Sequence, residues 1–72
     1  MAKNYLSIGS KGNDVKGLQV MLDENGYTLE ADGIYGPKTE AAVKAYQKDN
    51  GLKVDGLAGV NTIGSLKELK AS

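Results

Sequence analysis

The sequence predicts an all-α fold, a small three-helix bundle with two Asp-Gly loops and at most a very short β connection between them. Two observations predict it. Apolar residues recur at helical spacing in three segments of the 72-residue chain. Two copies of one loop pattern, "DGIYGPKT" and "DGLAGVNT", separate these segments. A chain of this length has room for a single small core, so one domain is expected.

The first helix is expected over residues 13–25, in the stretch "NDVKGLQVMLDENG". Its apolar residues at helical spacing are Val15, Leu18 and Leu22. Asn13 or Asp14 is available as the N-cap, and Gly26 is suited to the left-handed position that ends a helix. These signals predict a helix of about three turns.

The second helix is expected over residues 37–50 and the third over residues 60–70. The second begins with a proline at the first helical position and ends in Asn-Gly. The third carries lysines in its last turn, where cations suit the helix dipole. The apolar residues expected to face the core are Ala42, Val43 and Tyr46 in the second helix, and Ile63, Leu66 and Leu69 in the third.

The loop pattern repeats at an offset of 23 residues, from Asp32 to Asp55, and the repeat extends into the flanking helices. Two loop-helix units therefore follow one solitary helix. A stacked solenoid needs at least three units, so we expect a compact domain with an internal repeat. We assign the domain to residues 6–70, with residues 1–5 as an N-terminal extension or start and residues 71–72 as a tail.

The doubled pattern is expected to shape the two loops. An Asp side chain can accept hydrogen bonds from backbone N–H groups two or three residues on, and glycine takes positive φ without strain. A Thr follows each Asp by seven residues, so its hydroxyl is a further candidate partner for the carboxylate. The residues given this structural role are Asp32, Gly33, Gly36 and Thr39 in the first loop and Asp55, Gly56, Gly59 and Thr62 in the second.

Calcium binding is one alternative, because an EF-hand loop also carries Asp-Gly at its fifth and sixth positions. If Asp32 and Gly33 hold those positions, Thr39 stands at the twelfth, where a bidentate acid is required. In the second copy Lys53 would point at the cation. Neither loop has enough carboxylates, so no metal and no cofactor are predicted.

A glycosidase pair is a second alternative, because two suitably spaced carboxylates such as Asp32 and Asp55 could act as acid and nucleophile or base. One of the two would need a raised pKa in an apolar cleft that excludes water. A three-helix domain of this size has little material from which to build such a cleft.

Composition excludes other classes. The chain has no cysteine and no histidine, which removes disulfides, thiolate or imidazole metal sites and the usual general base, so no enzyme is expected. Nine basic and nine acidic residues balance, so nucleic acid is not expected as a partner. No apolar run is long enough for a membrane span or a secretory signal, and any export signal would lie outside this chain. Residues 1–3 are either a native start or a cloning remnant.

Taken together, these motifs resemble the peptidoglycan-binding domain of the three-helix type found beside bacterial and phage cell-wall hydrolases. The resemblance spans residues 6–69. The matching residues are Gly12, Val15, Leu18 and Gln19; Asp32, Gly33, Tyr35, Gly36, Pro37 and Thr39; Tyr46 and Gln47; and Asp55, Gly56 and Gly59. Two departures are tyrosines where the family often has Phe, and Val60-Asn61 in place of a second Pro-Lys.

The resemblance implies a noncatalytic module that anchors an attached hydrolase, such as an amidase or endolysin, to the bacterial wall. Its expected partners are peptidoglycan, through the glycan strand or the stem peptide, and the catalytic domain of the parent chain. The expected location is the cell wall or the extracellular space, and the expected state is a monomer. The alternative is a protein-interaction or propeptide-like helical domain that contacts an enzyme without binding glycan.

A wall-binding site needs a shallow groove with an aromatic platform and a few polar groups. The candidate ligand-binding residues are Tyr27, Tyr35, Lys38, Gln47 and Asn50. Each has a structural alternative: packing for the tyrosines, solvated surface or helix-end preference for Lys38 and Asn50, and a hydrogen bond to a loop carbonyl for Gln47, as for Gln19. Tyr46 is expected in the core, with its hydroxyl reaching an edge.

Overall fold

The computed structural model describes residues 5–71, with side chains described through residue 68. It contains the helices α1 (Asn13–Glu24), α2 (Pro37–Asp49) and α3 (Val60–Ala71). The predicted three-helix bundle is confirmed, and each helix lies within one residue of its predicted bounds. The side chain of Leu69, residues 1–4 of the expected extension and Ser72 lie outside this description. Within the described part of the chain, no helix is both long and apolar enough to cross a membrane.

The core is built from all three helices and the two loops. Its fully buried members are Val15, Leu18, Leu22, Tyr35, Val43, Tyr46, Ala58 and Leu66. Every one of the six helical residues in this set belongs to a predicted apolar stripe, whereas Ala42 and Ile63 are half-buried and pack against the cluster. Burying each large apolar side chain contributes about 1.5–3 kcal/mol, which makes this cluster the main source of stability.

α1 and α2 end in the same way. Asn25 and Asn50 are the C-caps, and each donates its side-chain amide to a carbonyl four residues earlier, at 2.7 and 2.9 Å. The next residue is a glycine with positive φ, +94° at Gly26 and +68° at Gly51. The amide after each glycine donates to the carbonyl five residues before it, as in a Schellman motif. The predicted Gly26 stop is therefore confirmed.

The start of α1 differs from the prediction. The N-cap is Gly12, with φ +125°, and no side chain caps the helix, so the expectation of an Asn13 or Asp14 cap is wrong. The Gly12 carbonyl accepts the Lys16 amide at 3.1 Å, and the Gly12 amide donates to Gly33 O at 2.9 Å. Because the first loop holds the backbone at Gly12, the helix begins one position earlier than an Asn13 cap would require.

The N-terminal segment, residues 5–12, pairs with both loops. Leu6 and Ala58 exchange two backbone hydrogen bonds of 2.9 Å, and Lys11 forms an isolated antiparallel bridge with Ile34. The predicted β connection therefore exists only as single bridges among the described residues. It joins each loop to the N-terminal segment, and not the loops to each other, because this segment lies between them and takes up their free backbone groups.

Candidate functional site

A buried glutamine from α1 closes the first Asp-Gly loop. Gln19 is 1% exposed. Its Nε2 lies 3.0 Å from each of three acceptors: Asp32 Oδ1, Ile34 O and Thr39 Oγ1. Its Oε1 accepts the Gly33 amide at 2.8 Å. We call this cluster the first clasp, because one side chain joins α1, the loop and the first turn of α2.

α2 supplies the same arrangement to the second loop. Gln47 Nε2 lies 2.9 Å from Asp55 Oδ1, 2.9 Å from Leu57 O and 3.0 Å from Thr62 Oγ1. Its Oε1 accepts the Gly56 amide at 3.0 Å. This is the second clasp, which joins α2, the second loop and α3. The expected glutamine bonds to loop carbonyls are confirmed in both clasps.

The two aspartates accept hydrogen bonds within their own loops. Asp32 Oδ1 accepts the Ile34 amide at 3.0 Å, and Asp55 Oδ1 accepts the Leu57 amide at 2.9 Å. The predicted bonds to loop amides are therefore confirmed. The expectation that the carboxylates bond directly to Thr39 and Thr62 is corrected. In each clasp the glutamine amide lies between the two groups and donates to both the carboxylate and the threonine hydroxyl.

These contacts favour the charged form of both carboxylates. The backbone N–H bond lowers the pKa of Asp32 and of Asp55 most, and the glutamine amide lowers it further. The acid of a glycosidase needs a raised pKa, which is the opposite shift. Each aspartate therefore acts as a charged hydrogen-bond acceptor that holds its loop in place.

The glycines of the motif have two different roles. Gly33 and Gly56 have φ of +77° and +73°, as the pattern predicts. A Cβ on Gly33 would also stand 3.3 Å from the Gly12 carbonyl oxygen. Gly36 and Gly59 instead offer the carbonyls that accept the Glu40 and Ile63 amides, in the first turns of α2 and α3, at 3.0 and 2.9 Å.

Two of the candidate ligand residues are inside the protein. Tyr35 and Gln47 are each 1% exposed. The Tyr35 hydroxyl donates to Gly56 O at 2.6 Å, so it joins the first loop to the second, and burial raises the pKa of Tyr35 to about 12. Since neither side chain reaches the surface, the expectation that they contact a ligand is corrected: both hold the loops together.

The remaining aromatic candidate lies at the surface. Tyr27 is half-buried, and its hydroxyl donates to Asp49 at 2.6 Å. That hydrogen bond raises the pKa of Tyr27 to about 12. Its ring meets the buried Tyr46 edge-on, with 5.7 Å between centroids. Tyr46 is in the core as predicted, and its hydroxyl reaches Ser65 Oγ.

Tyr27 and Lys38 line one surface groove along α2, of about 650 Å³. We call it the α2 groove; its lining residues are Tyr27, Thr28, Leu29, Glu30, Lys38, Ala41 and Ala42. It continues, through shared residues, into a hollow of about 360 Å³ against the first clasp. Asn50 is exposed but lines neither cavity. The structure therefore brings two of the five candidate residues together.

The sequence reasoning missed the rest of this groove. Glu30 and Lys38 place opposite charges on its rim, and Leu29, Ala41 and Ala42 supply apolar surface. One signal was present: Lys38, Ala41 and Ala42 are three and four residues apart, so they share a face of α2. The sequence predicts Ala42 in the core stripe and Lys38 among the candidate ligand residues, but nothing in that prediction connects the two, and it gives Ala41 no role.

The family model for a "peptidoglycan binding domain" matches residues 11–66, which include both clasps and most of α3. The chain belongs to the peptidoglycan-binding domain family. Domains of this family are noncatalytic, and they are found in amidases and cortex-lytic enzymes. The predicted family, fold class and noncatalytic character are thus confirmed.

Similar proteins are several times longer than this peptidoglycan-binding domain. It is 40% identical over 68 residues to a zinc D-Ala-D-Ala carboxypeptidase of Streptomyces albus G, covering 90% of this chain and 27% of that protein. It is 47% identical over 55 residues to a spore cortex-lytic enzyme of Bacillus cereus, covering 75% of this chain and 21% of that protein. The chain therefore spans about a quarter or less of these relatives.

A solved structure matches the domain almost end to end. The crystal structure of the SleB N-terminal domain superposes with a TM-score of 0.87 at 39% identity, covering 96% of this chain and 97% of that chain. The architecture of this peptidoglycan-binding domain is therefore also that of a separately crystallised domain.

Proposed function

We propose that this domain binds bacterial peptidoglycan through the α2 groove and thereby holds an attached hydrolase on the cell wall. The observation that supports this proposal is the grouping of Tyr27, Lys38 and Glu30 around an apolar floor, beside a loop fixed by the first clasp. A rigid groove wall lowers the entropy that binding would otherwise cost. The domain would act as a monomer at the wall.

The glycan strand is the part of peptidoglycan that the α2 groove suits best. Sugar rings present apolar faces and N-acetyl methyl groups, which can pack on Tyr27, Leu29 and Ala41. Their hydroxyls and amides can form hydrogen bonds with Lys38 and Glu30. Because these two side chains have opposite charges, the pair adds no net charge to the rim. A neutral polymer with polar edges fits this combination of surfaces.

Binding by a single shallow groove would be weak, with a Kd of roughly 10 µM to 1 mM. The wall presents many copies of the ligand, and tethering converts weak contacts into durable retention. The domain would raise the concentration of an attached hydrolase at its substrate. It would leave the chemical step of that hydrolase unchanged.

Cosedimentation of the isolated chain with insoluble sacculi tests this function. We expect the wild-type chain in the pellet with sacculi and in the supernatant without them. Tyr27→Ala and Lys38→Glu should lower the pelleted fraction, whereas Lys48→Glu is the matched control, because Lys48 is exposed on α2 outside the groove. Circular dichroism would verify that each variant is folded.

Equal recovery of the wild-type chain with and without sacculi would overturn the proposal. Retention by purified sacculi in the absence of any protein partner would also separate wall binding from the alternative, a propeptide-like domain that contacts only an enzyme.

A further inference from the structure

A second groove lies between α1 and α3. It encloses about 410 Å³ and shares no lining residue with the α2 groove. The N-terminal segment contributes Tyr5 and Leu6 to one wall, and α3 contributes Ile63 and Lys67 to another. We call it the α1–α3 groove. The family match and the proposed function leave it without a role.

Gly17 lies in the middle of α1 and lines this groove. Glycine weakens a helix at such a position relative to alanine. A Cβ added at Gly17 would meet nothing within 4 Å, and its φ is not positive. Neither packing nor backbone conformation therefore requires glycine here. What the missing side chain leaves is open space on the surface of α1 that faces the groove.

The chemistry of the lining indicates what could occupy that space. The floor is mostly aliphatic, with Leu18, Met21 and Ile63, and the ring of Tyr5 lines one wall. The rim carries opposite charges, Asp14 from α1 and Lys67 from α3, both exposed. A short peptide with small side chains, a free amine and a carboxylate matches the floor and both charges.

We propose that the α1–α3 groove is a second binding site of this domain, and that it takes the stem peptide of peptidoglycan. The proposal rests on the proposed wall-binding function and deepens it. In the polymer the peptide is covalently attached to the sugar, so a domain bound to one would meet the other at high effective concentration. Two weak sites would then give retention that neither provides alone.

A titration of the ¹⁵N-labelled chain, followed by amide chemical shifts, tests the assignment. The probes are the synthetic pentapeptide L-Ala-D-isoglutamine-L-Lys-D-Ala-D-Ala and the tetramer of N-acetylglucosamine, each at up to about 5 mM because single weak sites are expected. We expect the peptide to shift the amides of Gly17, Leu18 and Ile63. We expect the sugar to shift those of the α2 groove. Peptide shifts confined to the α2 groove, or sugar shifts in the α1–α3 groove, would overturn the assignment.

Substitutions at Gly17 block the groove without removing a contact of the fold. Gly17→Ala should weaken binding of the peptide about fivefold, and Gly17→Leu should weaken it more. Each substitution adds bulk where the ligand packs. The thermal midpoint should stay unchanged or rise, since both residues favour helix. Gly64→Ala is the matched control: Gly64 lies inside α3, has open space at its Cβ and does not line the groove.

A charge reversal provides an independent variant. Lys67→Glu should lower the affinity for the peptide about threefold, as expected for one solvent-exposed ion pair. Lys48→Glu should leave that affinity unchanged. Unchanged peptide affinity in Gly17→Leu and Lys67→Glu would overturn the second site while leaving wall binding intact. Failure of the wild-type chain to sediment with sacculi would instead overturn the proposed function itself.

Discussion

Gln47 Nε2 lies 2.9 Å from the carboxylate of Asp55, and this bond lies at the centre of the second clasp. Gln19 makes the equivalent bond to Asp32 at 3.0 Å. Each glutamine is buried, and together with its aspartate it satisfies loop backbone groups that the bridges to the N-terminal segment leave unpaired. The two loops therefore depend on helices that precede them in the chain.

The first prediction concerns the stability provided by a clasp. Gln47→Ala should destabilise the domain by about 2–4 kcal/mol, because it creates a cavity and leaves a buried amide, carbonyl and hydroxyl without their partner. That is most of the roughly 3–5 kcal/mol available to a domain of this size. Urea denaturation followed by circular dichroism measures it. Lys48→Ala, one residue on and exposed, should change stability by less than about 0.5 kcal/mol; a similarly small effect of Gln47→Ala would contradict the clasp.

The second prediction is a loss of stability in acid. The folded protein holds the pKa of Asp32 and of Asp55 below the usual value of 3.8. Their contribution is therefore complete above that value and is lost as the pH falls through the lowered pKa values of the folded state. Urea midpoints measured between about pH 7 and pH 2 should fall at the acid end. The double variant Asp32→Asn/Asp55→Asn should show a flatter profile, and an unchanged profile would refute the assignment.

The third prediction concerns the alkaline range. Tyr27 and Tyr35 have pKa values raised to about 12, so a spectrophotometric titration should show two phenols that ionise well above the usual value of 10. Because folding favours their neutral form, stability should decline as the pH rises above 10. Asp49→Ala should bring the pKa of Tyr27 back toward 10 and leave that of Tyr35 high, since the Asp49 bond is the largest cause for Tyr27 alone.

The fourth prediction separates the two kinds of motif glycine. Gly33→Ala should destabilise by about 1–2 kcal/mol, because alanine is strained at φ +77° and its Cβ would crowd the Gly12 carbonyl. Gly36→Ala should be tolerated, because Gly36 has φ −118° and open space at its Cβ. Thermal unfolding of the two variants gives the comparison. Equal destabilisation by both would mean that the left-handed conformation is not what Gly33 contributes.

The sequence predicted the helices well because their signals are local. Val15, Leu18 and Leu22 are separated by three and four residues, and all three are buried in the core. The glutamine bonds to loop carbonyls were also predictable, since Gln19 and Gln47 each follow a stripe residue and are polar. A buried amide in such a place needs partners.

What the sequence did not predict depends on contacts between separate segments of the chain. The seven-residue spacing from Asp32 to Thr39 suggested a direct bond, but it carries no sign of an amide arriving from α1 between them. The pairing of Leu6 with Ala58 was missed because the N-terminal segment has no periodicity. Both grooves follow from how the elements cross, which no spacing along a single element records.

The halves of this domain differ in length at one place. Gln19 precedes Asp32 by 13 residues, whereas Gln47 precedes Asp55 by 8. Part of the surplus lengthens α1 beyond its glutamine; the rest is Tyr27-Thr28, which the second half lacks and which lines the α2 groove. The two halves thus share the clasp and differ in the length of chain that joins its glutamine to its aspartate. The corresponding site before Leu52 is where new recognition loops could be transplanted into the other half.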